Sequence, residues 1–194
     1  MYNQRKVKEL IKADCSRYYG KSDFKTIQKT KYIQSGFKYI VEYRKINRYI
    51  KQGKKGLGYY YHRIKFLRYS KKTGFQIGAG AEIGPGLFMN HRGTVIVNGK
   101  VKMGRNINLS VGVTIGQENR GKRKGVPTIG NEVWIGNNAV IVGKIQIGNN
   151  VLIAPNAYVN FDVPDNSIVI GNPAKIISSE NATEGYIQNP YKGL

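Results

Sequence analysis

Aliphatic residues recur at every sixth position in the second half of the chain, and this period constrains the fold more than any other feature. The repeating positions are Ile77, Ile83, Met89, Met103, Leu109, Ile115, Ile129, Ile135, Ile141, Ile147, Ile153 and Val159. A fixed short period is typical of a solenoid, whose repeats stack and bury a continuous core. Each hexad can form one strand and one turn, so three hexads make a triangular coil. About five coils fit between Phe75 and Ile177.

The corners and interruptions of this repeat are also informative. Gly and Asn follow many aliphatic positions, as in Ile135-Gly-Asn-Asn, and both tolerate the left-handed backbone angles of tight corners. Two intervals measure fourteen positions instead of twelve, from Met89 to Met103 and from Ile115 to Ile129. The second interval holds residues 117–127, which carry no core residue at hexad spacing. The sequence therefore predicts that this stretch loops outward from the solenoid.

Residues 1–74 have a different composition. They carry 21 of the 32 Lys/Arg, 4 of the 11 Asp/Glu and 11 of the 14 Tyr, which makes most of the net charge of +21. Ser22-Asp23 is typical of a helix cap before Phe24. Apolar residues recur at helical spacing at Tyr39, Ile40, Tyr43, Ile46, Tyr49 and Ile50, and again at Tyr60, Ile64 and Leu67. We therefore predict three or four short helices with Tyr and Ile on one face and Lys/Arg on the other.

The change of composition near Thr73-Gly74 divides the chain into parts. We predict a basic, Tyr-rich helical region at 1–74, a β-helix domain at 75–177 and a polar tail at 178–194. The tail is expected either to wrap a neighbouring subunit or to be disordered.

The excess of positive charge has three open interpretations. A solvated face and an anionic membrane surface are weighted equally, and nucleic acid ranks third because no motif for it is present. The single cysteine excludes an internal disulfide and suits a reducing compartment. No apolar stretch is long enough to span a bilayer, and none follows the N-terminus as a signal peptide would. We expect a cytoplasmic protein, with peripheral contact at the inner face of the plasma membrane as an open alternative.

Repeats such as Ile135-Gly-Asn-Asn-Ala-Val resemble those of the hexapeptide-repeat acyltransferases. That resemblance implies a left-handed parallel β-helix preceded by a short helical region. The order of segments is similar to the serine acetyltransferase branch: the helical region, Phe75-Gln76-Ile77, Gly86-Leu87-Phe88-Met89-Asn90-His91, the loop, and Val169-Ile170-Gly171-Asn172-Pro173-Ala174-Lys175. The resemblance covers residues 75–177 well and the helices only loosely.

The resemblance implies acetyl transfer from acetyl-CoA, as co-substrate, to a hydroxyl group. This chemistry needs a general base to take the hydroxyl proton, and histidine is suited to that task. The chain has two histidines. His62 matches no motif, whereas His91 stands at the family's catalytic position, so His91 is the candidate base.

Several positions depart from the serine acetyltransferase pattern. The aspartate that orients the base is replaced by Gln76, which can still accept a hydrogen bond from the imidazole and orient it, but without a charge. The aspartate before the base is replaced by Asn90. Gln76 and Asn90 are therefore candidate catalytic residues beside His91. An Arg-His pair that contacts the amino acid in that branch is replaced by Gly125 and Val126. Serine would leave its ammonium and carboxylate unpaired in such a site. We therefore expect a sugar O-acetyltransferase of capsule or lipopolysaccharide biosynthesis.

The resemblance also implies a coenzyme groove between neighbouring β-helices in a homotrimer, with a hexamer as the alternative. The positions expected to contact the coenzyme are Gly116, Gly136, Asn137, Gly143, Ala154, Pro155 and Lys175. No Cys/His cluster suggests a metal. Two alternatives to the sugar enzyme stay open: a serine O-acetyltransferase, and a non-catalytic β-helix scaffold.

Overall fold

Four α-helices precede a solenoid of short strands in the computed structural model, which describes residues 3–193. The helices span Gln4–Tyr19 (α1), Phe24–Ile33 (α2), Ser35–Lys51 (α3) and Leu57–Thr73 (α4). The predicted cap is confirmed, because Asp23 Oδ1 accepts a hydrogen bond of 3.0 Å from the Thr26 backbone N–H. Residues 1–2 of the predicted helical region and residue 194 of the predicted tail lie outside the described residues. None of the helices within residues 3–193 combines the length and the apolar character that a bilayer span requires.

Fourteen strands form the three faces of the solenoid. In chain order they are Phe75–Ile77 (β1), Glu82–Ile83 (β2), Val95–Val97 (β3), Lys102–Met103 (β4), Asn108–Leu109 (β5), Thr114–Gly116 (β6), Thr128–Ile129 (β7), Val133–Ile135 (β8), Val140–Val142 (β9), Gln146–Ile147 (β10), Val151–Ile153 (β11), Tyr158–Val159 (β12), Ser167–Ile170 (β13) and Lys175–Ser178 (β14). The first sheet has the order β1-β3-β6-β9-β12, the second β10-β7-β4-β2, and the third β14-β13-β11-β8-β5. Every pairing is parallel except that of β13 with β14.

The six-residue period is the period of the core, so the predicted solenoid of about five coils is confirmed. All twelve repeating aliphatic residues are buried. Regular coils pair residues eighteen positions apart, as Ile141 does with Val159. Ile115 instead pairs with Ile141, twenty-six positions on, and the eight additional residues fall in the predicted loop. Residues 119–124 of that loop are exposed.

The corners have the predicted chemistry. Left-handed φ angles between 51° and 62° occur at Asn106, Asn138, Asn150, Asn156 and Asn166 along the solenoid, and Glu132 shares this conformation. Asparagine tolerates this region better than other residues with a Cβ. The second Asn of each Ile-Gly-Asn-Asn repeat is therefore the residue that turns the chain onto the next face.

The helices and the first coils share one hydrophobic core. From the predicted stripe of α3, Tyr39, Ile40, Tyr43 and Ile46 are buried together with solenoid residues such as Phe75 and Ile77. The structure differs from the prediction for α4, where Tyr60, Ile64 and Leu67 are 56%, 58% and 44% exposed. The buried aromatic residue of that helix is Phe66, whose ring packs against Tyr39 at a centroid distance of 5.1 Å.

A buried ion pair fixes the helices to the first coil. Arg44 of α3 donates to Asp14 of α1 through Nε at 2.8 Å and through a terminal nitrogen at 2.9 Å. Asp14 Oδ1 also accepts from the backbone N–H groups of Gly86 and Leu87, at 3.0 and 2.8 Å. Arg44 donates in addition to the carbonyls of Ile83 and Gly84. Both side chains are fully buried, so these contacts replace the water that each charge has lost.

We expect Asp14→Ala to lower the free energy of unfolding by roughly 3–5 kcal/mol, because the Arg44 charge stays buried without its carboxylate. Urea unfolding at fixed protein concentration measures the change. Glu9→Ala is the matched control, since it removes the same charge from α1 but breaks only the exposed pair with Arg5. The control should lose no more than about 1 kcal/mol. Equal losses in the two variants would contradict the assigned role of the buried pair.

Candidate active site

His91 lies on the edge where the third sheet passes into the first. Loops of four successive coils stack along this edge, at residues 90–94, 110–113, 136–139 and 154–157. Backbone hydrogen bonds join each loop to the next: Gly112 N to Thr94 O at 2.6 Å, Asn138 N to Val111 O at 2.9 Å, and Asn156 N to Asn137 O at 2.9 Å. We call this row the histidine edge. His91 therefore lies on the same edge as the predicted coenzyme residues Asn137 and Pro155.

Three helices hold the loop that carries His91. The hydroxyl of Tyr18 in α1 donates to Met89 O at 2.6 Å. Gly36 of α3 packs so closely on the Met89 backbone that a Cβ at this position would overlap the Met89 carbonyl. The Gly93 N–H donates to Thr73 O, at the end of α4, at 2.9 Å. The helical region thus positions the loop of the candidate base from both of its ends.

The ring of His91 is exposed and has one hydrogen-bond neighbour among residues 3–193. Asn90 Nδ2 lies 3.3 Å from His91 Nε2. Since an amide N–H can only donate, this contact leaves Nε2 as the acceptor and the ring proton on Nδ1. Gln76 is exposed in the middle of β1, opposite Ile96 in the register, and does not bond the ring. The structure therefore brings Asn90 to the histidine but not Gln76, whose predicted orienting role stays a prediction.

A cavity of about 230 Å³ opens beside His91. Its lining includes Asn90, Ser110, Trp134 and Asn137, and no Asp, Glu, Lys or Arg of the described chain contributes to it. A second cavity of about 240 Å³ adjoins it through shared walls at Phe88, Asn90, Asn108 and Trp134. In this part of the structure the candidate base therefore faces uncharged polar and aromatic groups.

The predicted coenzyme residues fall on separate edges of the solenoid. Gly136, Asn137, Ala154 and Pro155 lie on the histidine edge, where a Cβ on Gly136 would come within 2.7 Å of Pro155 N. Gly116 ends β6 and Gly143 follows β9, so both lie on the edge between the first and second sheets. Lys175 begins β14 and is exposed at the border of the third sheet. Only the first four of these residues therefore share an edge with His91.

The tail packs against its own chain over its described residues, which differs from the expectation of disorder. A contact with a neighbouring subunit stays a prediction. Tyr191 and Asn106 exchange two hydrogen bonds of 2.8 and 3.0 Å. The Tyr186 ring packs against Trp134 at an interplanar angle of 59°, with the ring centroids 4.8 Å apart. Sequence reasoning missed Arg17, Trp134 and Tyr186 as residues near the site, because no local pattern links positions so far apart in the chain.

Comparisons with known proteins agree with this architecture. The family model described as bacterial transferase hexapeptide (six repeats) matches residues 127–160. A serine acetyltransferase of Helicobacter pylori is 38% identical over 108 residues, which is 56% of this chain and 63% of the relative. The chain therefore spans less than two thirds of that relative's length.

Two solved structures extend the likeness into the helices. The Neisseria gonorrhoeae serine acetyltransferase in complex with serine has a TM-score of 0.73 and 32% identity, over 89% of this chain and 69% of that one. The Brucella abortus serine acetyltransferase in complex with coenzyme A has a TM-score of 0.76 and 27% identity, over 91% and 69%. The predicted resemblance to the serine acetyltransferase branch is thus confirmed, whereas these relatives do not support a special likeness to sugar O-acetyltransferases.

We expect Gly36→Ala to destabilise the protein by roughly 1–3 kcal/mol, because the added methyl group must displace the Met89 backbone. Hydrogen exchange should also accelerate at the amide of Gly93, which lies in the loop after Met89 and donates to Thr73 of α4. Gly56→Ala is the control, since no atom lies within 4 Å of a Cβ there; as a helix-cap change it should lose at most about 1 kcal/mol. Unchanged exchange at Gly93 in the Gly36 variant would show that α3 does not hold the loop.

Proposed function

The chain belongs to the hexapeptide-repeat transferases, where its relatives are serine acetyltransferases, and we propose that it is an acetyl-CoA-dependent O-acetyltransferase with His91 as general base. The observation that carries the proposal is the position of His91, which faces a cavity on the same edge as Asn137, Ala154 and Pro155. The exposed side chains of Asn137 and Pro155 leave room for an extended ligand along that edge. The Brucella relative, whose structure contains coenzyme A, supports the choice of donor.

The proposed reaction needs one proton transfer at His91. Acetyl-CoA supplies the acetyl group as a thioester. The acceptor hydroxyl donates its proton to His91 Nε2 while its oxygen bonds to the acetyl carbon, and the bond from that carbon to sulfur breaks. The proton then passes to the departing sulfur. In this structure the Asn90 amide donates to that same Nε2 lone pair, which fixes the ring proton on Nδ1. The acceptor hydroxyl takes the place of this contact when it binds.

The acceptor that the relatives favour is serine. The Neisseria protein was solved with serine bound, and the Helicobacter relative is a serine acetyltransferase by name. The comparisons therefore favour serine over the sugar acceptor that the sequence departures favour. Serine O-acetylation is the first candidate for this chain.

A neutral hydroxyl acceptor, such as a sugar, is the second candidate, and one observation favours it. The cavity at His91 has no charged wall within residues 3–193. A zwitterionic amino acid bound there would need partners for two charges, and burying either charge unpaired is strongly unfavourable. The departures from the serine acetyltransferase pattern at Asn90, Gly125 and Val126 also favour a neutral acceptor. A neighbouring subunit that supplied the missing charges would restore the serine candidate.

A homotrimer is part of the proposal, because the histidine edge is an open surface on a single chain. Asn137, Asn138, Pro155 and Asn156 are exposed along it, and a second solenoid beside them would close a groove for the coenzyme. Peripheral contact with an anionic membrane is a separate proposal. It rests only on the exposed apolar residues of α4, Leu57, Tyr60, Ile64 and Leu67, beside the basic Arg63 and Arg68.

We expect His91→Ala to lower kcat by about 10²–10⁴-fold, because proton removal from the acceptor loses its base. Acetyl-CoA consumption with a saturating acceptor measures the effect. His62→Ala removes the other imidazole of the chain, in α4, and should keep kcat within about twofold once circular dichroism shows that it is folded. Full activity in the His91 variant would exclude this residue as the base.

A panel of acceptors decides between the two candidates. L-serine and neutral methyl pyranosides are offered separately to the wild-type protein with acetyl-CoA, and the release of free thiol is measured. Turnover on serine alone would establish the first candidate. Turnover on a pyranoside that disappears in His91→Ala would establish the second. The absence of turnover on every acceptor, with coenzyme A still bound, would favour the scaffold alternative.

A further inference from the structure

The C-terminal segment 182–191 forms a wall beside the candidate active site. Its anchor is Arg17, which is only 2% exposed. The Arg17 guanidinium donates to Gln188 O at 3.0 Å, to Gly86 O at 2.6 Å and to Asn108 Oδ1 at 2.6 Å. One side chain therefore joins the segment to α1 and to two coils of the solenoid. Burial lowers the pKa of Arg17 to about 10, so the group stays charged at neutral pH.

Further bonds fix the two ends of the segment. Thr183 donates to Asn150 Oδ1 through its hydroxyl at 2.8 Å and through its backbone N–H at 3.2 Å. Asn106 binds the backbone of Tyr191 through both its amide oxygen and its amide nitrogen. Asn108 Nδ2 donates to Tyr186 O at 3.3 Å between them. The segment is thus held along its length, with Tyr186 and Gln188 turned to the cavity of about 240 Å³.

The chemistry of this cavity is aromatic and amide-rich. Phe88, Trp134 and Tyr186 supply rings, and Asn90, Asn108 and Gln188 supply amides. Arg17 also lines the cavity and is its one charged lining residue among the described residues. Each of its guanidinium nitrogens bonds an oxygen of the protein, so Arg17 serves the wall as an anchor. Aromatic faces pack against the C–H face of a sugar ring, and amides can both donate to and accept from its hydroxyls. The ammonium group of an amino acid would find no carboxylate there among the described residues.

We propose that this cavity is an acceptor subsite for a neutral sugar ring, with the C-terminal segment as its outer wall. The cavity shares Phe88, Asn90, Asn108 and Trp134 with the cavity of His91, so a ring held in the subsite presents a hydroxyl toward the base. The inference rests on the second candidate function, acetyl transfer at His91 to a neutral hydroxyl acceptor. In this inference Tyr186 and Trp134 select the acceptor, and Arg17 positions the wall.

The single tryptophan of the chain makes the subsite directly observable, because all tryptophan fluorescence comes from Trp134. Wild-type protein is titrated with methyl β-pyranosides of glucose, galactose, mannose and N-acetylglucosamine, and separately with L-serine. We expect a saturable change in fluorescence with at least one pyranoside and none with serine. The change should vanish in a chain that ends at Gly185, which keeps the Thr183 contacts but lacks the wall.

Kinetics with the pyranoside that binds then test Tyr186. We expect Tyr186→Ala to raise the acceptor KM about tenfold, as the loss of one aromatic contact would, and to leave the KM for acetyl-CoA unchanged. Tyr60→Ala, which removes an exposed tyrosine from α4, is the matched control and should change neither constant. Circular dichroism establishes that each variant is folded.

Two results would overturn the subsite. One is the absence of any saturable fluorescence change with the four pyranosides. The other is an acceptor KM that is unaffected both by Tyr186→Ala and by ending the chain at Gly185. Failure of the proposed acetyl transfer is a different result, since the wild-type protein would then bind a pyranoside by fluorescence without consuming acetyl-CoA.

Discussion

The buried ion pair between Asp14 and Arg44 is the interaction on which the arrangement of helices and solenoid depends. Two charges removed from water are tolerated only when excellent geometry and further hydrogen bonds compensate their desolvation. Here the carboxylate receives two backbone N–H groups of the first coil, and the guanidinium reaches two carbonyls of the same coil. The ion pair selects one position, because any shift would leave a charge unsatisfied.

That position has consequences a few residues further along the chain. The coil segment bonded to the ion pair leads directly into Phe88, Met89 and His91. Tyr18 lies one helical turn beyond Asp14, and its hydroxyl reaches the Met89 carbonyl. Burial raises the pKa of Tyr18, so this hydroxyl keeps its proton and remains a donor. The stability of the junction and the geometry of the candidate base are therefore set by the same few contacts.

The sequence predicts the solenoid well because the determinants are local. The aliphatic residue at each sixth position and the Asn at each corner determine the conformation of their own coil. The next coil has the same pattern, so it takes the same conformation. The proposal of His91 as the candidate base has the same local origin, because it comes from the motif that surrounds the histidine. The inward face of α4 could not, because Tyr60 and Ile64 suit a core as well as Phe66 does, and only the position of Tyr39 decides between them. The wall around Arg17 was also unpredictable, since its bonds join residues 69, 91 and 171 positions apart.

The loop at residues 117–126 has a consequence for how such a protein can change. Ile115 and Ile141 face each other in register across eight additional residues, as Ile141 and Val159 do without any. The length of the loop therefore does not affect the register of the core. Each coil is aligned by its strand pairing with the coil before it, and not by the number of residues between them. Insertions, deletions and changes of charge at this point leave the stacked faces intact. A lineage can thus change the length of this loop without changing the register of the core.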